Sequence, residues 1–244
     1  MKLQYQKILP LNNNSIKNCV FFIHGLGDSP AGFASLFQQL QRSPSTSKVF
    51  ANTLIVLPQA LNLPLTANGG YVMPSWFDII SFEPHATRVY GLTQFSQSLS
   101  MINDLVNDIQ KEYEIPNGKF IVGGFSQGAA LSLSSNLILK DKLAGIVALS
   151  GFNVWESVSD PILQEYLKDL TENDKKIPVF QGTGDIDPLV SIPRAEEAKE
   201  WYTKVIGSLN EDSYTLKIYE GLEHSTDPEE LMDMSNFIKK SLDL

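Results

Sequence analysis

The stretch "KFIVGGFSQGAALSLSS", residues 119–135, decides the fold. "KFIVGG" is nearly continuous in apolar residues, the pattern of a strand buried on both faces, and a helix opens at Gln127. Between them lies Gly124-Phe125-Ser126-Gln127-Gly128, which is G-x-S-x-G. With a strand before it and a helix after it, this motif holds a serine in a tight, strained turn whose hydroxyl projects above a sheet. Glycine two residues before and two after leaves room for the turn, and Ala129 and Ala130 let the helix pack close. The first N–H groups of that helix point at the serine, ready to stabilise negative charge. A glycine-rich structural turn is the plainer alternative, and the flanking strand and helix favour a nucleophile over it.

Working outward, short apolar runs alternate with stretches of helical period. "CVFFIH" (19–24), "TLIVLP" (53–58), "AGIVALS" (144–150), "IPVFQG" (177–182) and "YTLKIYE" (214–220) read as further strands. Helices are expected over 31–41, 92–113, 127–139, 193–206 and 228–242. In 92–113, Phe95, Leu99, Ile102, Leu105, Val106, Ile109 and Tyr113 fall on one face. The last helix carries Pro228, Glu229 and Glu230 in its first turn, where proline fits and negative charge suits the dipole. This alternation predicts an α/β fold, a mostly parallel central sheet flanked by helices on both faces. With no linker or repeat, one domain over 1–244 is expected. Residues 58–78 show neither period and read as a long functional loop.

Composition narrows the partners. The chain has 244 residues, 43% of them hydrophobic and 19% charged, and a net charge near −9. That acidity argues against nucleic acid, which needs clustered Lys and Arg, and gives no electrostatic reason to sit on an anionic membrane. The single cysteine, Cys19, excludes an intramolecular disulfide. His24, His85 and His224 lie far apart, without the spacing of a zinc site. No run resembles a signal peptide or a membrane helix, so stable membrane insertion is not expected. Asn13-Asn14-Ser15 matches a glycosylation sequon by coincidence in a polar loop. A cytoplasmic protein is expected, with the nucleus open as well.

A serine hydroxyl needs a base. When the nucleophile sits on a strand–turn–helix elbow, the partners follow in the order Ser, Asp or Glu, His. Only His224, in "YEGLEHSTDPEE", follows Ser126, and it stands between the last strand and the last helix. His24 reads as a brace of the loop 24–29, and His85 as a surface residue. The carboxylate that orients the base is expected after "IPVFQG", where "GDIDPLV" offers both Asp185 and Asp187. A calcium loop would use Asp185, Asp187 and Glu196 at positions 1, 3 and 12. It fails at position 6, where Val190 replaces the required glycine, and at position 5, which is Leu189. A bland Asp-x-Asp-Pro turn remains open, as does the choice between the aspartates.

The segments "FFIHGLGDSPAGF" (21–33), "VMPSWFDI" (72–79), "GGFSQGAALSL" (123–133), "LAGIVALSG" (143–151), "GDIDPLV" (184–190) and "YEGLEHS" (219–225) together resemble the acyl-protein thioesterases. These belong to the phospholipase/carboxylesterase group of α/β-hydrolases, and the segments occur in family order across nearly the whole chain. The resemblance implies an α/β-hydrolase fold with Ser126 as nucleophile, His224 as base and Asp187 as acid, the last through the family's G-x-x-D pattern. It implies an oxyanion hole from the N–H groups of Leu26 and Gln127. It also implies an apolar acyl channel, with Trp76 of the loop 62–78 and Leu189 in its wall; simple core packing is the plainer alternative for Trp76. Where the family usually has His-Gly before the acid motif, this chain has Thr183-Gly184. Lipidated N-terminal cysteines, present in some members, have no counterpart, because Cys19 lies inside the first apolar strand.

The expected activity is hydrolysis of acyl thioesters, S-palmitoyl-cysteine on proteins among them, and of carboxyl esters, without metal or cofactor. S-acylated proteins or lipidic esters are the expected substrates, and a weak homodimer is compatible with the family. A carboxylesterase or lysophospholipase of small lipidic esters is the near alternative. A non-catalytic binding protein on the same fold is the distant one.

Overall fold

The computed structural model describes residues 2–11, 15–81, 89–207 and 213–244; His85 and the sequon's two asparagines lie outside them. Along the chain run strands β1 (Tyr5–Ile8), β2 (Asn18–Ile23), β3 (Thr53–Pro58), β4 (Asn62–Leu65), β5 (Tyr71–Pro74), β6 (Phe120–Phe125), β7 (Leu143–Leu149), β8 (Val179–Gly184) and β9 (Tyr214–Tyr219). The helices are α1 (Pro30–Arg42), α2 (Ser47–Phe50), α3 (Leu92–Tyr113), α4 (Gln127–Leu133), α5 (Pro161–Lys168), α6 (Ile192–Trp201) and α7 (Pro228–Ser241).

Seven strands form one sheet in the order β1-β3-β2-β6-β7-β8-β9. Every neighbouring pair is parallel except the edge pair β1–β3. All residues of β2, β3 and β8 are buried, because helices cover both faces. The period-2 alternation splits each central strand between two cores. Val20 and Phe22 of β2 join Phe37 of α1, Phe50 of α2 and Ile238 of α7 on one face. Cys19, Phe21 and Ile23 join Phe95, Leu99, Ile102 and Val106 of α3 on the other. Each such side chain contributes about 1.5–3 kcal/mol by leaving water. Helix α3 spans the residues its periodicity predicts. Among the described residues, no helix is long and apolar enough to cross a membrane.

Four differences from the sequence reading have clear causes. Residues 58–78 are not one loop: β4 and β5 pair as an antiparallel hairpin from Asn62↔Pro74 to Leu65↔Tyr71. Its strands are short, largely exposed and interrupted by Pro64, so they give no alternation. Strand β1 was not expected, since three of its four residues are exposed. The expected helix 127–139 stops at Leu133 and passes into a 3₁₀ turn over Ser135–Leu137; that of 193–206 ends in a π turn over Tyr202–Ile206. Helix α5 is not among the expected helices, although its start is readable: Asp160 caps it, its carboxylate accepting from the N–H groups of Ile162 and Leu163, with Pro161 at the first position.

Candidate active site

Parallel strands leave their carboxyl ends along one edge of the sheet, and the loops after β2, β6, β7, β8 and β9 meet there. Hydrogen bonds continue the strand pairing past the strand ends. Ser126 N–H donates to the Leu149 carbonyl at 2.9 Å, Ser150 N–H to that of Gly182 at 2.8 Å, and Asp185 N–H to that of Tyr219 at 3.0 Å. This ladder fixes, in lateral order, the turns that follow β6, β7, β8 and β9.

Ser126 sits at the central step with φ 54° and ψ −116°, a backbone conformation that costs a non-glycine residue of order 1–3 kcal/mol. The glycines flanking it are steric necessities. A Cβ on Gly128 would lie 2.0 Å from the Ile23 carbonyl oxygen, and one on Gly124 2.4 Å from the Gly128 backbone. Helix α4 is thereby pressed against β2 and β6, with its N-terminus at the serine. Gly25, after β2, is close enough that a Cβ on it would lie 3.5 Å from Ser126 Cβ.

The acid loop answers the question its two aspartates raised. Asp187 is buried, and its Oδ2 lies 2.8 Å from His224 Nδ1. Its Oδ1 accepts from the N–H groups of Leu189 and Val190, both at 2.8 Å. Burial opposes ionisation of this carboxyl, but the Val190 N–H, His224 and the Leu189 N–H outweigh it and hold the group below the usual carboxylate range. Asp185 is exposed and accepts from the Gly221 N–H at 2.7 Å, tying the acid loop to the turn after β9. The His224 ring packs on Phe125, centroids 4.8 Å apart, which places it beside the serine turn. Among the described residues, no hydrogen bond joins Ser126 Oγ to His224. In unliganded sites such contacts are often long and close only around substrate.

Sequence reasoning missed Ser150. It too has a positive φ, 47°, and its buried hydroxyl donates to Asp187 Oδ2 at 2.9 Å, the oxygen that meets His224. Nothing in "ALSG" signals this; the strained serine after β7 could be found only by its neighbours. A hydrogen bond to a charged group contributes about 1.5–3 kcal/mol. Ser150→Ala is therefore expected to lower kcat on a short-chain aryl ester about tenfold or more with KM held within about twofold. Equal kcat in variant and parent would remove Ser150 from the site.

Leu26 and Gln127 are brought to the same edge, and neither backbone N–H donates to an acceptor among the described residues. The Gln127 side chain is equally informative. Its Oε1 accepts from Trp76 N–H at 2.8 Å, and its Nε2 donates to the Phe77 carbonyl at 2.8 Å and to Ser75 Oγ at 3.1 Å. Trp76 Nε1–H in turn donates to the His24 carbonyl at 2.9 Å. His24 is locked as a neutral ring: Nδ1–H donates to the Gly25 carbonyl at 2.7 Å and Nε2 accepts from Ala60 N–H at 3.1 Å. Burial lowers its pKa, against the pull of the Gly25 carbonyl and Asp28. His24 thus braces the loop 24–29 as expected, and Trp76 couples that loop to α4. The hairpin adds a further tie, the Gly27 N–H donating to the Pro74 carbonyl at 2.8 Å.

Trp76 and Leu189, the two residues implied for the channel wall, differ sharply in exposure. Trp76 is 1% exposed, sealed in the core by its indole hydrogen bond, whereas Leu189 is 59% exposed. Thr183, which stands where the family usually has histidine, is fully buried, and among the described residues its Oγ1 has no hydrogen-bond partner. An orphaned buried hydroxyl costs about 1–3 kcal/mol. Thr183→Val is therefore expected to raise the thermal midpoint by a few degrees, and a lowered midpoint would mean that the hydroxyl is engaged after all.

The seven-stranded sheet, the elbow after β6 and the loops after β8 and β9 define an α/β-hydrolase fold. Residues 10–242 match the family described as Phospholipase/Carboxylesterase, and the chain belongs to that family. It is 41% identical to acyl-protein thioesterase 1 of Saccharomyces cerevisiae over 228 residues, 93% of each chain. It is 38% identical to that of Candida albicans over 95% of each. Among solved structures, Arabidopsis thaliana SOBER1 superposes with a TM-score of 0.77 at 26% identity, over 93% of this chain and 99% of that one.

Proposed function

We propose that the chain, as one α/β-hydrolase domain, hydrolyses acyl thioesters and carboxyl esters through Ser126, His224 and Asp187. The observation that carries this reading is the 2.8 Å Asp187–His224 pair standing beside the strained Ser126 at one edge of the sheet. Asp187 accepts from His224 Nδ1–H, which leaves Nε2 free to take a proton. His224 removes the Ser126 Oγ proton as the oxygen attacks the acyl carbonyl carbon. The tetrahedral oxyanion is held by the N–H groups of Leu26 and Gln127, donors of a kind worth several kcal/mol of barrier each. His224 then protonates the departing thiolate or alkoxide. Water, activated by the same ring, attacks the acyl-enzyme and regenerates Ser126.

S-acylated proteins are the proposed substrates, S-palmitoyl-cysteine first, because the similar yeast proteins carry the name acyl-protein thioesterase 1. Exposed apolar side chains on the two segments that flank the site support a lipidic acyl group: Tyr71 and Val72 on the hairpin, Ile186 and Leu189 on the acid loop. Cytoplasm is the proposed location, and a weak homodimer stays compatible with the reading.

A fluorophosphonate probe together with an acyl-length series tests this. Labelling at Ser126 and faster turnover of a palmitoylated peptide than of short-chain esters are expected. Labelling with turnover of small esters alone would favour a carboxylesterase, and no labelling would favour a binding protein.

A further inference from the structure

Helix α7, which follows the base loop, carries a carboxyl that the proposed triad does not use. Asp227 caps the helix by accepting the Glu230 N–H at 2.8 Å, but the Glu230 side chain turns inward. It is fully buried, and among the described residues neither carboxyl oxygen has a hydrogen-bond partner. A glutamate at this third position commonly reaches back to the cap residue's own N–H; this one rests on β8 instead. A Cβ at Gly182 would lie 2.3 Å from its Oε1, so the glycine at 182 is the space that the carboxyl fills. Glu230 is thus wedged between the strand that leads into Asp187 and the helix that follows His224.

Among the described residues, no cation meets its carboxyl oxygens. On α7 itself stand Asp227, Glu229 and Asp233; from the loop after β8 come Asp185 and Asp187, and from the loop before α7 Glu223 and His224. Lys217 of β9 is engaged by Glu229 at 2.8 Å and by Asp233 at 2.5 Å. Tyr219 of β9 donates to Asp233, and Lys48 of α2, the next element on that side, is exposed. A buried carboxylate with no cation and no donor is costly, so the group holds its proton instead. Burial first, then Asp227 and Asp187, push its pKa up to about 8.

We propose that Glu230 is a positioning residue that serves as a neutral carboxylic acid, and that its ionisation sets the alkaline limit of the activity. Once charged, it is repelled by Asp187 and Asp227 and draws in water. That separates α7 from β8 and misaligns the acid and base loops they carry. The inference rests on the triad reading above, and failure of that reading has its own signature, turnover by Ser126→Ala at pH 7.

The test is kcat and KM for a short-chain aryl ester from pH 6 to 9, with thermal midpoints in the same buffers. A group titrating at about 8 is roughly nine-tenths ionised at pH 9. The ratio of kcat at pH 9 to kcat at pH 7 should therefore be about 0.1 in the parent, with KM little changed. In Glu230→Gln, which mimics the neutral acid, the ratio should approach one. The sign for stability follows from a folded-state pKa above the unfolded one. Stability is fully present below about pH 4.5, falls as pH rises through about 8, and then levels off. That decline should vanish in Glu230→Gln. Asp227→Asn keeps a good helix cap but removes one like charge, so it should move the alkaline limb toward lower pH. Glu230→Met serves if the glutamine variant does not fold. A parent-like pH ratio in both neutral variants would overturn the proposal, as would an Asp227→Asn limb that moves toward higher pH.

Discussion

Ser126→Ala is expected to abolish turnover of a small aryl ester, by a factor on the order of 10⁵ or more, and to abolish fluorophosphonate labelling. A loss of that size corresponds to about 7 kcal/mol of transition-state stabilisation. The same change should leave thermal unfolding within about 0.5 kcal/mol of the parent. Two structural facts make the outcome so one-sided. The Ser126 hydroxyl makes no hydrogen bond within the described structure, so removing it orphans nothing. Alanine also inherits the φ of 54° that serine bears, so the strain of the turn is unchanged. Turnover within about tenfold of the parent, in a variant that unfolds normally, would refute Ser126 as nucleophile.

The second large effect separates the two aspartates. In Asp187→Asn, the amide oxygen should take the Oδ1 place, where the N–H groups of Leu189 and Val190 point. Its NH₂ then faces Ser150 Oγ and His224 Nδ1, where Oδ2 accepted from both. An NH₂ cannot accept the Nδ1 proton, so His224 is driven to the tautomer protonated at Nε2, which cannot take the serine proton. In a serine protease the equivalent change costs about 10⁴ in kcat, and a similar loss is expected here. Asp185→Asn retains the oxygen that receives the Gly221 N–H and should cost no more than about threefold. Parallel kcat measurements on the two variants decide the matter, and equal losses would sink the assignment. Asp187 also bears on acid stability. Its depressed pKa means that its contribution is present above the unfolded carboxylate value and is lost as pH falls through the folded one.

The chain showed its central strands plainly because a strand covered on both faces is apolar at most positions, and β2, β3 and β8 are buried throughout. Strand β1 and the β4–β5 hairpin were invisible for the converse reason: their outward residues need not be apolar. Trp76 was open to two readings for a related reason. The resemblance implied a channel wall for it, with core packing as the plainer alternative, and its Nε1–H donates to the His24 carbonyl inside the core. Ser150 left no local signature, and Glu230 read only as a first-turn negative charge suited to the helix dipole, not as a buried acid. One matters through Asp187, 37 residues away, and the other through Gly182, and no spacing rule reaches across such gaps.

What the sequence determined by itself was therefore what local sterics and burial impose. A parallel sheet followed from the apolar runs, and the elbow at Ser126 from glycines where the backbone allows no Cβ. His224 followed from being the only histidine after the serine. The residue chemistry left Asp185 and Asp187 level, and it took the resemblance to prefer one. Only the tertiary structure decided which carboxylate meets His224. Residues 185 and 187 share a turn, but one side chain swings outward to the Gly221 N–H and the other inward to Ser150 and His224. The partners that draw them apart come from the turn after β7 and from the loop after β9, and these reach the acid loop only when the sheet has formed.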